Sequence, residues 1–155
     1  MFENLDGKTF IDVSDQLGPE FQKKGFQRGS AFGDLNNDGA PDIVVTSLNE
    51  SPRILMNTAD SGNHWIVLAL TGHKSARDAI GAKVKLTTAS GRTLYNHVAI
   101  SVGFMSSSDK RVHFGLGQET EIGSIEIRWP SGIQQILKNV KADQFLKIDE
   151  PAARQ

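Results

Sequence analysis

The sequence predicts an all-β protein: a small antiparallel sheet first, then an antiparallel β-sandwich or jelly-roll-like domain. Three observations carry that expectation. Apolar and polar residues alternate over short stretches, as in Ala82-Val84-Leu86 against Lys83-Lys85-Thr87, the period of a strand with one buried face. Turn chemistry recurs between those stretches, at Ser90-Gly91 and at Pro130-Ser131-Gly132. A helical period is absent, and residues 19–24 offer a single turn at most.

Taken in order, residues 9–13 form one short strand, and 30–33, 43–47 and 53–57 form three more. The small and polar residues 57–63 mark a boundary. They divide the chain into a unit over 1–60 and a sandwich over 61–150, with 151–155 as a disordered tail. Residues 65–70 are apolar on both faces and read as a central strand. Beyond the Ser90-Gly91 turn, Leu94, Val98, Ile100 and Val102 share one face of the next strand. Val112-Phe114-Leu116 and Ile125-Ile127-Trp129 alternate in the same way, with Trp129 assigned to the core. The Pro130-Ser131-Gly132 turn leads back into residues 133–137, and residues 145–148 close the sandwich.

The densest chemistry lies in residues 34–42, Asp-Leu-Asn-Asn-Asp-Gly-Ala-Pro-Asp. Side-chain oxygens stand at Asp34, Asn36, Asp38 and Asp42, and the Ala40 carbonyl can add a main-chain ligand. Alternation of ligand with non-ligand turns oxygens inward, and hard divalent cations take several oxygens in a flexible shell. Three carboxylates this close repel one another unless a cation stands between them. Ca²⁺ is the expected ion, in a structural role. The loop is not an EF-hand, because its twelfth position is Val45, inside the β-branched run Ile43-Val44-Val45-Thr46, where that motif requires a bidentate Glu. An ion-free turn is the plain alternative, since Asn-Asp-Gly is good turn chemistry.

Gly29-Ser30-Ala31-Phe32-Gly33, this loop and Pro41-Asp42-Ile43-Val44-Val45 together resemble the FG-GAP/VCBS repeat. The later motifs resemble the ASPIC/UnbV domain: Arg77-Asp78-Ala79-Ile80-Gly81-Ala82, Gly103-Phe104, His113-Phe114-Gly115-Leu116-Gly117, Arg128-Trp129-Pro130-Ser131-Gly132 and Asn139-Val140. The first resemblance implies a β-propeller blade with Ca²⁺ at a hairpin tip. The second implies a domain that follows such repeats. Only one calcium loop occurs, so the chain reads as the C-terminal part of a larger propeller protein, with a partial blade before its terminal domain.

Composition narrows the function. With 17 basic and 18 acidic residues and no basic block, nucleic acid is not an expected partner. Zero cysteines exclude disulfides, Cys-ligated zinc and thiol catalysis. The longest apolar run, residues 65–70, is too short to span a bilayer. Met1-Phe2-Glu3-Asn4 has neither the basic start nor the apolar stretch of a signal peptide. No catalytic constellation is read: His64, His73, His97 and His113 lie far apart in the chain, no Gly-x-Ser-x-Gly elbow surrounds a serine, and Gly115-Leu116-Gly117 precedes no helix. His97 and His113 are assigned to exposed or hydrogen-bonded surface positions.

The expected function is therefore a non-catalytic, calcium-stabilised binding or adhesion module, extracellular, on the cell surface or periplasmic in the full-length protein. Its ligand, protein or glycan, is contacted through the candidates Arg77, Asp78, Tyr95, His97 and Arg128. Arg77 and Asp78 have a local ion pair as their plain reading. Carbohydrate binding by the sandwich is the first alternative. A role as accessory to a biosynthetic pathway, implied by the UnbV resemblance, is the second. The incomplete blade leaves Phe32, Ile43, Val45, Ile54 and Met56 in need of cover. The sandwich can supply it on one face, and a weak homodimer on the other.

Overall fold

The computed structural model describes residues 1–5, 7–58, 61–101 and 103–152. Among these described residues twelve short strands fall into four sheets, with a 3₁₀ turn at Ser14–Gln16 and a single helical turn, α1, at Pro19–Gln22. Strands β1 (Phe2–Asn4) and β2 (Phe10–Asp12) form an antiparallel ladder by themselves. The second sheet runs in the order β3 (Gln27–Gly33), β4 (Asp42–Ser47), β5 (Arg53–Leu55), all antiparallel. The strand expected over 9–13 is therefore present, over Phe10–Asp12, but does not join the β3-β4-β5 sheet. Its partner is Phe2–Asn4, which the sequence reading left out.

The remaining strands build a sandwich. One sheet has the order β11-β10-β7-β8: β11 (Gln134–Lys141), β10 (Glu121–Arg128), β7 (Lys83–Thr88) and β8 (Thr93–His97). The other places β6 (His64–Thr71) between β12 (Gln144–Asp149) and β9 (Val112–Gly117). Their inner faces share one core: Ile66, Leu68, Val112, Phe114 and Leu116 from the second sheet meet Val84, Leu86, Ile122, Ile125 and Ile127 from the first. Trp129 is 1 % exposed, as its alternation with Ile127 predicts. Its indole N–H donates to Gln135 Oε1 at 3.0 Å, which removes the cost of burying a polar group.

Two features depart from the simplest sandwich. β12 runs parallel to β6, with Phe145 opposite Val67. The chain leaves β11 at the edge of one sheet, turns through Ala142 and Asp143, and enters the other sheet in the direction of β6. Strand β8 stops at His97, earlier than the alternating pattern suggests. Val98 still exchanges main-chain hydrogen bonds with Ala82 and Gly81 at 2.9 Å and is buried. Ile100 lies beyond the strand. Val102 lies outside the described residues, as do 153–155 of the expected tail.

The central strand is apolar on both faces for a specific reason. Ile66, Leu68 and Leu70 point into the core, whereas Trp65 and Val67 point outward, where the N-terminal unit covers them. Across the small sheet, Ile43 and Val45 are half-buried, and Phe32, Ile54 and Met56 stay exposed.

The core makes a quantitative expectation possible. Ile125→Ala removes a fully buried aliphatic side chain from the centre of β10 and should cost about 2–5 kcal/mol. Urea unfolding of the variant beside the parent chain measures the difference.

Candidate functional site

The loop between β3 and β4 folds around its own main chain. Asp34 and Asp42 stand at its two ends, 5 % and 1 % exposed. Asp34 Oδ1 accepts from the Asp38 amide at 3.1 Å and Oδ2 from the Gly39 amide at 2.8 Å. Asp42 accepts from the amides of Leu35 and Asn57, both at 2.8 Å. The exposed tip is arranged similarly: Asp38 Oδ1 accepts from the Ala40 amide at 2.8 Å, and Oδ2 from Asn36 Nδ2 at 2.7 Å. The Ala40 amide, followed by the Asn36 side chain, holds the Asp38 carboxyl below its ordinary range. Asn37 and Gly39 take left-handed conformations, with φ of 59° and 91°.

As a donor set these oxygens suit a hard cation such as Ca²⁺. Their arrangement is that of an amide-capped loop: among the described residues no three His, Cys, Asp or Glu side chains stand close enough together to hold a metal ion. A carboxylate oxygen accepts more than one hydrogen bond or cation. Capping by Asp34 and Asp42 therefore leaves lone pairs that a cation could share.

The loop is clamped to the outer face of the β12-β6-β9 sheet. Gly39 lies on the Trp65 indole so closely that a Cβ there would stand 1.9 Å from Trp65 Cε2. His113 Nε2 lies 2.6 Å from the Gly39 carbonyl, and because a carbonyl can only accept, that nitrogen carries the proton. Arg111 donates to the Asp34 carbonyl at 2.7 Å and to Asn37 Oδ1 at 2.6 Å. Asp109 aligns the guanidinium at 2.6 Å, and Phe145 supports it with its ring centroid 5.2 Å away. Phe145 also meets Trp65 edge-on, at 5.0 Å between centroids. Sequence reading missed Trp65, Arg111 and Phe145 as site residues. The available signal was the alternation of Arg111, just before β9, and His113 on it around the buried Val112.

The residues proposed for ligand contact do not converge. Tyr95 is 74 % exposed on β8, and Arg128 is exposed at the end of β10. Arg77 and Asp78 border a separate hollow with Lys110. The ion pair expected between Arg77 and Asp78 is corrected by the structure, because Asp78 pairs with Lys110. His97 lines a cleft of about 360 Å³ beside the docked loop. His113 lines the same cleft, so two histidines far apart in the chain are brought together. The hydrogen-bonded position expected for His113 is observed.

A second buried carboxylate organises the far end of the sandwich. Glu150 is 2 % exposed. Its Oε2 accepts from three successive amides, His73 and Lys74 at 2.8 Å and Ser75 at 2.7 Å. Its Oε1 accepts from the hydroxyls of Ser75 and Ser131. Burial alone would raise its pKa. The Ser131 hydroxyl, then the amides of Ser75 and His73 and the Ser75 hydroxyl, outweigh that and hold it at about 2 instead of 4.5. Nothing in the apolar pattern pointed to Glu150, since the amides that hold it lie 75 to 77 residues away in the chain.

Residues 72–155 match the protein family described as ASPIC and UnbV. That stretch holds the whole Glu150 nest and every strand of the sandwich except β6. The chain belongs to the ASPIC and UnbV family. Similarity extends beyond the ASPIC and UnbV region. Cartilage acidic protein 1 of Homo sapiens is 25 % identical over 143 residues, covering 90 % of this chain and 21 % of that protein. The Xenopus tropicalis protein of the same name is 28 % identical over 119 residues, covering 74 % of this chain and 18 % of that protein. This ASPIC and UnbV chain therefore spans about a fifth of the length of these relatives. An alignment over 90 % of the chain necessarily includes the 34–42 loop.

Two outcomes follow from these contacts. Gly39→Ala should lower stability by at least about 1–3 kcal/mol, because it combines left-handed strain with a clash against Trp65. Thermal melting reads the loss, and a shift in Trp65 fluorescence reports that the loop has lifted. Glu150→Gln should cost about 1.5–3 kcal/mol at neutral pH by weakening hydrogen bonds to a charged acceptor. The lowered folded pKa means that this stabilisation is fully present above pH 4.5 and is lost as pH falls through about 2. Acid titration of both proteins should therefore show their stabilities converging across that window.

Proposed function

We propose that this chain is a non-catalytic binding module of the ASPIC and UnbV family, stabilised by one Ca²⁺ in the 34–42 loop and acting outside the cytoplasm. The sheet β3-β4-β5 with its loop is read as an FG-GAP/VCBS-type blade belonging to a longer protein. The observation that carries this reading is the loop itself: the oxygen-bearing side chains of Asp34, Asn36, Asp38 and Asp42 fall at the first, third, fifth and ninth of its nine positions, and it is clamped to the sandwich by Trp65, Arg111 and His113. Ca²⁺ bound through Asp34, Asn36, Asp38 and Asp42, with the Ala40 carbonyl, would neutralise the loop's carboxylates and fix its tip. Rigidity there would pass to the outer face of the sheet through those clamping contacts.

An extracellular setting agrees with weak calcium loops, which fill at the millimolar Ca²⁺ found outside cells. It also agrees with the cartilage protein name that the relatives carry. Among the described residues no helix is long and apolar enough to cross a membrane.

The test is thermal melting in EDTA against millimolar Ca²⁺. A ligand that binds only the folded chain raises the melting temperature by mass action. Asp38→Ala should remove the calcium-dependent rise while leaving the EDTA value nearly unchanged, because Asp38 sits at the exposed tip. Asp42→Asn should lower the EDTA value as well, since Asp42 caps two amides. Identical melting of the parent chain in the two buffers would end the calcium reading.

A further inference from the structure

We propose that the cleft beside the docked loop binds one neutral sugar residue, stacked by its apolar face on Phe32 and hydrogen-bonded through its hydroxyls to His97, Ser108 and Asp109. The inference rests on the reading of the chain as a binding module and names the ligand class. The cleft lies where the end of β3 approaches the corner between β8 and β9, and its volume of about 360 Å³ falls in the range of small-molecule sites.

Its walls are preformed. The Phe32 amide donates to Ser108 Oγ at 3.1 Å, and the Asp109 amide donates to the Phe32 carbonyl at 2.9 Å. Gly33 allows this approach, since a Cβ there would lie 3.0 Å from Asp109 Cβ. On the opposite side, Asn96 Nδ2 ties β8 to the His113 carbonyl at 3.1 Å. A ligand therefore meets fixed groups and need not order them.

The lining selects among ligand classes. Arg111 is spent on Asp109, Asn37 and the Asp34 carbonyl, so it offers no free charge to a carboxylate or phosphate. The Asp109 charge is balanced by that same guanidinium, which leaves little to attract a cation. Unused capacity remains at neutral groups. Among the described residues the His97 ring has no hydrogen-bond partner, and Ser108 Oγ accepts one bond while its own proton has no acceptor. Asp109 keeps lone pairs beyond those used by Arg111. A purely apolar ligand would leave these groups unpaired, which is costly once water is expelled. Phe32, 46 % exposed, together with Val67 and Ala99, gives the cleft an apolar surface. A pyranose matches both halves, with a C–H face for the aromatic ring and hydroxyls that donate and accept.

Saturation-transfer NMR with millimolar glucose, galactose, mannose and N-acetylglucosamine tests this, with glucuronate as the charged arm. At least one neutral sugar should receive saturation, strongest at the ring protons of one face, and more than glucuronate does. Phe32→Ala and His97→Ala should each weaken that binding about tenfold. Ile136→Ser, on the distant strand β11, should leave it unchanged. His97 is exposed, so its variant reports even if Phe32→Ala fails to fold. Absence of transfer to every neutral sugar, preference for glucuronate, or full binding by His97→Ala would overturn the proposal. The calcium-dependent melting shift on the same samples separates the two readings. A shift that persists without sugar binding sinks only the sugar inference.

Discussion

The close approach of Gly39 to the Trp65 indole is the constraint on which the site depends. Only a residue without a side chain can lie there, and only one that tolerates a positive φ can make the turn. Once that contact forms, the Gly39 carbonyl stands where His113 can donate to it, and Arg111 reaches both the Asp34 carbonyl and Asn37. The indole covers the outward face of a strand whose other face is already core. The central strand of the sandwich is thus also the platform for the N-terminal unit.

Acidic side chains are handled in one consistent way. Asp34, Asp42 and Glu150 are all buried, and each is compensated mainly by main-chain amides. An amide is fixed by the backbone, so it solvates a carboxylate without the entropic cost of holding a long basic side chain in place. Asp34 closes its own loop, whereas Asp42 and Glu150 tie together segments that secondary structure alone leaves apart. Asp42 joins the loop to the chain after β5. Glu150 joins the end of β12 to the turn after β6 and to the Pro130–Gly132 corner.

The cleft is a by-product of the same docking. Strand β3 meets the segment before β9 through Ser108 and Asp109, and the space left beside that junction is bordered by residues of both units. Neither the small sheet nor the sandwich makes this surface alone. A ligand in the proposed sugar cleft would therefore depend on how the N-terminal unit and the sandwich pack.

Much of the architecture was legible in the sequence, because strand periodicity and turn residues act locally. The alternation at 82–87, the Ser90-Gly91 and Pro130–Gly132 turns, and the core placement of Trp129 are fixed by neighbours a few residues away. The double-sided apolar run at 65–70 correctly announced a central strand. Tertiary structure alone decided what faces what: the pairing of residues 10–12 with 2–4, the parallel entry of β12, and the meeting of Asp78 with Lys110 instead of Arg77. It also decided that His97 and His113 share one cleft and that Glu150 is buried in an amide nest. Apart from the short-range pairing of 2–4 with 10–12, these rest on contacts between residues distant in the chain, or on the direction in which a strand enters its sheet. Local propensity carries no information about either.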